Sequence, residues 1–316
     1  MLALDGVFDT GISVVLDALQ TANELAEMSK LSGPRFDVTV VGMRREVTTS
    51  LGHTIPAKSA GRRSPPDWVI IPALGFKMPG PLQAALARPD VREATKALRS
   101  WATRGSNVAA ACIGTFVLAE SGLLDDHEAT TTWWLSPLFR QRYPRVRLDE
   151  SRMIVSSGKI VTAGAALGHM DLALWLIRRT SPKLAALTAK YLIVDSRPSQ
   201  SAYIVADHLA HSDPLVERFE RWVRGHLAQG FSLDAAAEAT RSSKRTLGRH
   251  LQSAIGKSPQ SYFQELRVEH AVHLLKTTHD GVDAIAAKVG YGDGITLRNL
   301  LRKQLGVGVR EIRRYR

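Results

Sequence analysis

A change of pattern near residue 196 constrains this 316-residue chain more than any other feature. Before it, short apolar runs alternate with stretches of helical spacing. Phe36 to Val41 alternates and is β-branched, while Trp68 to Pro72 and Asn107 to Ala111 read as short buried strands. Between them, Val91, Ala94, Leu98 and Trp101 share one face of a helix over 91–104, with Gly105 placed to end it. Strands alternating with helices predict βαβ units, hence an α/β domain with a mostly parallel sheet and helices on both faces. Leu2-Ala3-Leu4 is short for a first, central strand, which a start further upstream would explain.

After residue 196 the helical period takes over. Ser196 to Ser201 is polar and contains Pro, as expected of a linker, and Asp213-Pro214 is a helix start with Asp as N-cap and Pro at N1. The division expected is 1–195, a linker over 196–212, and an all-α domain over 213–316. Within it Ser232 caps a short helix over 233–239, and Ser243 caps a second from Lys244 to about Ala254, ending at Gly256. Ser258-Pro259 opens a longer helix. The short pair then recurs: 282–288, a turn at Gly290-Tyr291-Gly292, and a helix from N-cap Asp293 to about Gln304. Two helix-turn-helix units in one chain offer two recognition helices for successive major-groove segments of double-stranded DNA.

Charge follows the same division. The chain has 42 Lys and Arg against 30 Asp and Glu, net +12. Residues 219–316 hold 17 of the former and 9 of the latter, so +8 of the excess sits in less than a third of the chain. Such asymmetry points to a polyanionic partner for the basic part.

Leu247 to Leu251, Gly256 to Tyr262, Leu266 to Ala271, and Ile285 to Asp293 match, in order and spacing, the DNA-binding domain of the AraC/XylS family, which residues 213–316 resemble. The resemblance implies that Lys244, Arg245, Thr246 and Arg249 of the first recognition helix, and Ile295, Thr296, Arg298 and Asn299 of the second, face the DNA. Arg245 and Arg249 lie one turn apart with the reach for guanine, Asn299 suits adenine, and Ile295 or Thr296 a thymine methyl. Arg302, Lys303, Arg313 and Arg314 are expected on phosphates. The second unit departs from the family at Leu297, Leu301, Asn299, Val309 and Ile312, where other residue types are usual.

In the first domain, Ala109 to Ala119 runs from a buried strand straight into a helix, which puts Cys112 on the turn at a helix N-terminus. Backbone N–H groups and the helix dipole there lower a thiol pKa, and Gly114 allows close approach. With Leu4-Asp5-Gly6-Val7, Ser121 to Asp125, Thr162-Ala163-Gly164 and Asp171 to Leu174, this segment resembles the PfpI-like, class I glutamine-amidotransferase-like superfamily over residues 1–190. The implied fold is flavodoxin-like. Catalytic relatives pair the Cys with a His before a Trp; here Thr132 precedes Trp133, and a threonine cannot take a proton from a thiol near neutral pH. His127 is a candidate displaced base in a charged turn. The resemblance implies a ligand pocket instead, lined by Cys112, the Ile113 N–H, Gly75, Asp17 and Trp133, outside the carboxyl ends of the strands.

The sequence contains no phosphate-binding loop, dinucleotide fingerprint or zinc motif, and one Cys cannot build a Cys-rich zinc site, so no cofactor and no metal are expected. The first residues show no secretory signal and no apolar run reaches the ~18–20 residues of a membrane span, so a cytoplasmic protein is expected. The joint resemblance implies a transcriptional regulator, not an enzyme. It would be a homodimer through its first domain, with a small amino-acid-derived or quaternary-amine effector. The competing reading is a cysteine-dependent hydrolase or lyase with an appended DNA-binding module.

Overall fold

In the computed structural model the described residues are 1–31, 33, 35–60, 64–195, 197, 199–200, 213–305 and 307–314, and they fall into two compact units, Met1–Gln200 and Ser201–Arg316. In the first unit β5 (Trp68–Ile71), β6 (Asn107–Ala111) and β10 (Ile160–Ala163) are parallel neighbours, and β9 (Ile154–Ser157) pairs antiparallel with β10. The amide of Leu2 bonds to Ile70 O and that of Ala3 to Val41 O, so the first residues carry the sheet on from β5 to β1 (Val41–Gly42) and β4 (Lys58–Ser59). Two short hairpin or bridge pairs, β2 (Glu46–Thr48) with β3 (Thr54–Pro56) and β7 (Glu128–Ala129) with β8 (Arg147–Leu148), complete it.

The strand expected over 36–41 is regular only at Val41–Gly42. Upstream, Phe36 gives its backbone N–H and C=O to the Asn23 side chain, 2.8 Å each, and not to a ladder. That fastens the segment to α1 (Asp9–Met28).

Strand alternation divides the core between two faces. Leu2, Leu4, Val69, Ile71, Val108 and Ala110 point to one cluster, under α2 (Pro79–Leu86), α3 (Pro89–Thr103), α4 (Gly114–Glu120) and α5 (Ser136–Arg142). Met1, Ala3, Ile70, Ala109, Ala111 and Val161 point to the other, under α1, α6 (Gly168–Thr180) and α7 (Pro182–Tyr191). The α/β class with helices on both faces is therefore observed. Gly105, φ +104°, ends α3.

Among the described residues of the second unit all regular structure is helical: α8 (Pro214–Gly225), α9 (Leu233–Ala239), α10 (Lys244–Ile255), α11 (Pro259–Thr277), α12 (Val282–Lys288), α13 (Gly294–Leu305) and α14 (Val309–Arg314). Asp213, Ser232, Ser243 and Ser258 each accept a first-turn N–H, and Asp293 accepts that of Thr296 at 2.7 Å. Gly256 ends α10 at φ +72°. Leu297, Leu301 and Ile312, the departures noted in the second unit, are buried with Ile285 and Val289 in its core. Among the described residues no helix is long and apolar enough to cross a membrane.

Candidate nucleic-acid interface and cysteine elbow

α9 and α10 meet at a turn where Arg241 takes φ +53°, and α12 and α13 at one where Gly290 takes φ +77°. On α10, Leu247, Leu251 and Ile255 are buried, which turns Arg245 and Arg249 outward into solvent; Thr246 is half-buried. Lys244 pairs with Asp234 at 2.5 Å while staying largely exposed. On α13, Leu297 and Leu301 are buried, and Ile295, Thr296, Arg298 and Asn299 are exposed. Ile295 is 66% exposed, an apolar side chain held in water by the burial pattern of its helix. Seven of the eight residues expected to face DNA are thus exposed on the two second helices, and Thr246 is half-buried.

The phosphate set divides differently. Arg302 and Lys303 are exposed. Arg313 turns inward and donates Nη2 to Asp280 O, so it braces the core where a phosphate contact was expected. The Arg314 side chain lies outside the described residues.

In the first unit Cys112 sits between β6 and α4 with φ +54°, a left-handed conformation that a non-glycine residue holds only at a cost. Its N–H donates to Ala163 O at 2.8 Å, and the Thr131 hydroxyl to its C=O at 2.7 Å. Gly114 is required behind it: a Cβ there would stand 2.3 Å from Ile71 O. The thiol is only 3% exposed. Burial pushes it up to about 12, against the Ile113 N–H and Thr132, which favour the thiolate. The expectation of a lowered pKa is corrected: the elbow geometry is present, and desolvation outweighs it. Thr132 Oγ1 is buried and has no other hydrogen-bond partner among the described residues.

The residues expected to share this pocket come together only in part. Cys112 and Ile113 adjoin Thr131 and Thr132, and Trp133, half-buried, follows directly with Trp134 edge-on at 5.6 Å. Gly75 packs instead on Ser50, where a Cβ would come within 2.2 Å. Ser50 in turn donates to Asp9, whose carboxylate hydrogen bonds from Thr49, His53 and Leu51 also hold well below the usual range despite some burial. Asp17 is corrected outright: it stands in solvent on the polar side of α1, because Ala18 and Leu19 take the buried side. His127 is half-buried and pairs with Ser157 Oγ at 2.9 Å, so it is engaged away from the thiol.

Three features were not legible in the sequence. A cavity of about 590 Å³ opens where the strands begin, lined by Phe36, Asp37, Trp68, Trp101 and Arg179, at the opposite end of the sheet from Cys112. At the carboxyl end, Gln200, read from its polar surroundings as linker, is fully buried. Its Nε2 donates to Thr131 O at 3.0 Å, Thr130 Oγ1 at 3.2 Å and Arg152 O at 3.3 Å. His169 is also buried. It accepts the Ala73 N–H at Nε2 and pairs through Nδ1 with Ala166 O at 2.6 Å, and burial lowers its pKa to about 4. Among the described residues no group of three His, Cys, Asp or Glu is placed to hold a metal.

Residues 1–179 match the DJ-1/PfpI family, and residues 236–315 match a helix-turn-helix domain. The chain is 25% identical over 232 residues to the HTH-type transcriptional regulator GbdR of Pseudomonas aeruginosa, covering 72% of this chain and 63% of GbdR. It is 25% identical over 224 residues to the HTH-type transcriptional regulator ArgR of the same organism, 70% of this chain and 68% of ArgR. The chain thus matches a little under two thirds of the length of GbdR. The crystal structure of an AraC family transcriptional regulator from Pseudomonas putida shares the fold over 60% of this chain and 96% of its own, with TM-score 0.50 and 22% identity. The chain belongs to the DJ-1/PfpI family, and behind that domain it carries a helix-turn-helix region of the AraC type.

Proposed function

We propose that this chain is a sequence-specific, DNA-binding transcriptional regulator whose DJ-1/PfpI domain senses a small molecule and performs no catalysis. One observation carries the reading: α10 buries Leu247, Leu251 and Ile255 and presents Arg245 and Arg249, one turn apart, to solvent. In that arrangement both guanidiniums reach base edges, with bidentate contact to guanine as the preferred pairing. On α13, Ile295 and Thr296 would meet thymine methyls and Asn299 an adenine, while Lys244, Thr246 and Arg298 complete the contact surface. Arg302 and Lys303 would hold phosphates and set the register. The +8 excess in residues 219–316 supports a DNA partner, as do the names of GbdR and ArgR.

The first domain is read as sensor and dimerisation module. Its effector would be an amino-acid-derived or quaternary-amine metabolite, and two copies would present paired DNA-binding regions to one operator in the cytoplasm. A hydrolase or lyase reading is disfavoured because the thiol is buried and pushed up to about 12, with Thr132 where a general base would have to stand.

The test is fluorescence anisotropy on labelled DNA from the region upstream of the gene, at two salt concentrations. The expected result is sequence-dependent binding that weakens steeply with salt. Arg249→Ala should cost about 1–3 kcal/mol and relax preference at one base position, whereas Arg302→Ala should weaken all sequences alike. Binding without sequence preference would overturn the reading.

A further inference from the structure

We propose that the Gln200 carboxamide is a built-in occupant of a small-molecule site at the carboxyl end of the sheet. The ligand that displaces it carries a cationic, N–H-rich head: a primary ammonium or a guanidinium. This deepens the sensor reading and depends on it only for the consequence at DNA.

Three oxygens converge on one point beside the cysteine elbow. Thr131 O, Thr130 Oγ1 and Arg152 O all accept from Gln200 Nε2. Thr131 is itself tied to Cys112 O, and Thr130 to Thr162 through its N–H, so these acceptors are fixed by the sheet. Gly164 forms the floor: a Cβ there would lie 2.1 Å from Gln200 Nε2. The site therefore has the chemistry of an N–H receptor with space cleared for a planar or compact head.

Gln200 fills it imperfectly. A carboxamide brings an acceptor along with its donors, and Gln200 Oε1 is buried with no hydrogen-bond partner among the described residues. A buried unpartnered oxygen has lost its water for nothing in return. An ammonium or guanidinium offers three or more N–H groups and no acceptor, so it satisfies the same oxygens without stranding one. A quaternary ammonium has no N–H and cannot.

The rest of the segment is held by contacts of its own. Arg197 Nη2 reaches Asp171 at 2.5 Å and Leu167 O at 3.0 Å, the Ser199 hydroxyl donates to Ser151 O at 2.8 Å, and the Gln200 N–H to the same oxygen at 2.9 Å. When the segment leaves, Asp171, nearly buried, loses its positive partner, Arg197. Gln200 is the last residue of the first unit, so the site lies at that unit's end in the sequence.

The test uses the full chain, with methylguanidinium, n-butylammonium and tetramethylammonium chlorides up to 50 mM as probes. Hydrogen–deuterium exchange of the peptide containing Gln200 is read by mass spectrometry, and affinity by calorimetry. Methylguanidinium and n-butylammonium should raise exchange in that peptide at least tenfold, and tetramethylammonium should not. Gln200→Ala, which removes the competitor, should tighten methylguanidinium binding tenfold or more. Gly164→Ala should raise exchange with no probe present. Unchanged affinity in Gln200→Ala, no binding of either N–H probe, or equal opening by tetramethylammonium overturns the proposal. None of these readouts contains DNA. A chain that opens to methylguanidinium but shows no sequence preference for DNA upholds this site and overturns the regulator reading; the converse overturns the site alone.

Discussion

The guanidinium of Arg267 lies 5.1 Å from the centre of the Tyr291 ring, and the two residues join the halves of the helix-turn-helix region. Arg267 projects from α11, is nearly buried, and donates to Leu227 O at 2.9 Å and Gln229 O at 2.6 Å in the loop after α8. It also stacks 4.7 Å from Phe263. Tyr291 belongs to the turn of the second unit and donates to Gln264 at 2.8 Å. Gly290 makes room, since a Cβ there would stand 2.1 Å from Arg267 Nη2. One side chain thus fastens the loop before the first helix-turn-helix to the turn of the second.

Arg267→Met should keep most of the packing and remove the donors, leaving two carbonyls without partners at about 1–3 kcal/mol each. Gly290→Ala should lose a comparable amount, through its φ of +77° and the collision with Arg267. Urea unfolding followed by Trp222 fluorescence checks both. Midpoints equal to the parent chain would show that Arg267 does not brace the two helix-turn-helices.

Cys112 is expected to be inert in the folded chain. With the thiol pushed up to about 12, its thiolate population at pH 8 falls about a thousandfold below that of a free cysteine. Iodoacetamide should label it at a small fraction of the free-thiol rate in buffer and at the full rate in urea. Labelling of the native protein at the free-thiol rate would show an accessible, activated thiol and restore the hydrolase or lyase reading.

His169 should make the first domain acid-sensitive. Its folded pKa of about 4 lies below the ordinary 6.5, so the unfolded chain binds the extra proton between those values. Stability from this group is therefore complete above about pH 6.5 and is lost as pH falls toward 4, by about 2 kcal/mol at pH 5. His169→Gln should be weaker at neutral pH but lose less between pH 7 and 5. Equal pH slopes in the two proteins, measured by urea titration, would rule out His169 as the source.

The helical region was legible almost residue by residue because its signals are local. Ser232, Ser243, Ser258 and Asp213 stop or start helices by bonding N–H groups two or three positions away, and Gly256 ends one by its own φ. The outward set on α10 and α13 came from the family resemblance, and the burial of Leu247 and Leu251, and of Leu297 and Leu301, leaves most of that set in solvent. The short apolar runs of β5 and β6, set between stretches of helical spacing, likewise announced a sheet covered on both faces.

What only the tertiary structure decided were quantities summed over distant neighbours. Local position at a helix N-terminus favours a thiolate at Cys112, but the packing around it excludes water, and burial dominates. Asp17 was assigned by its place in a motif, and the sheet turned it to solvent. The ladder over 36–40 gave way to Asn23, thirteen positions from Phe36. Gln200 reads as linker from its neighbours in sequence; it is a core residue because Thr130, Thr131 and Arg152, each far along the chain, bring three acceptors to one point. Capping and periodicity are written in adjacent residues, whereas solvation and the meeting of polar groups exist only once the chain has closed on itself.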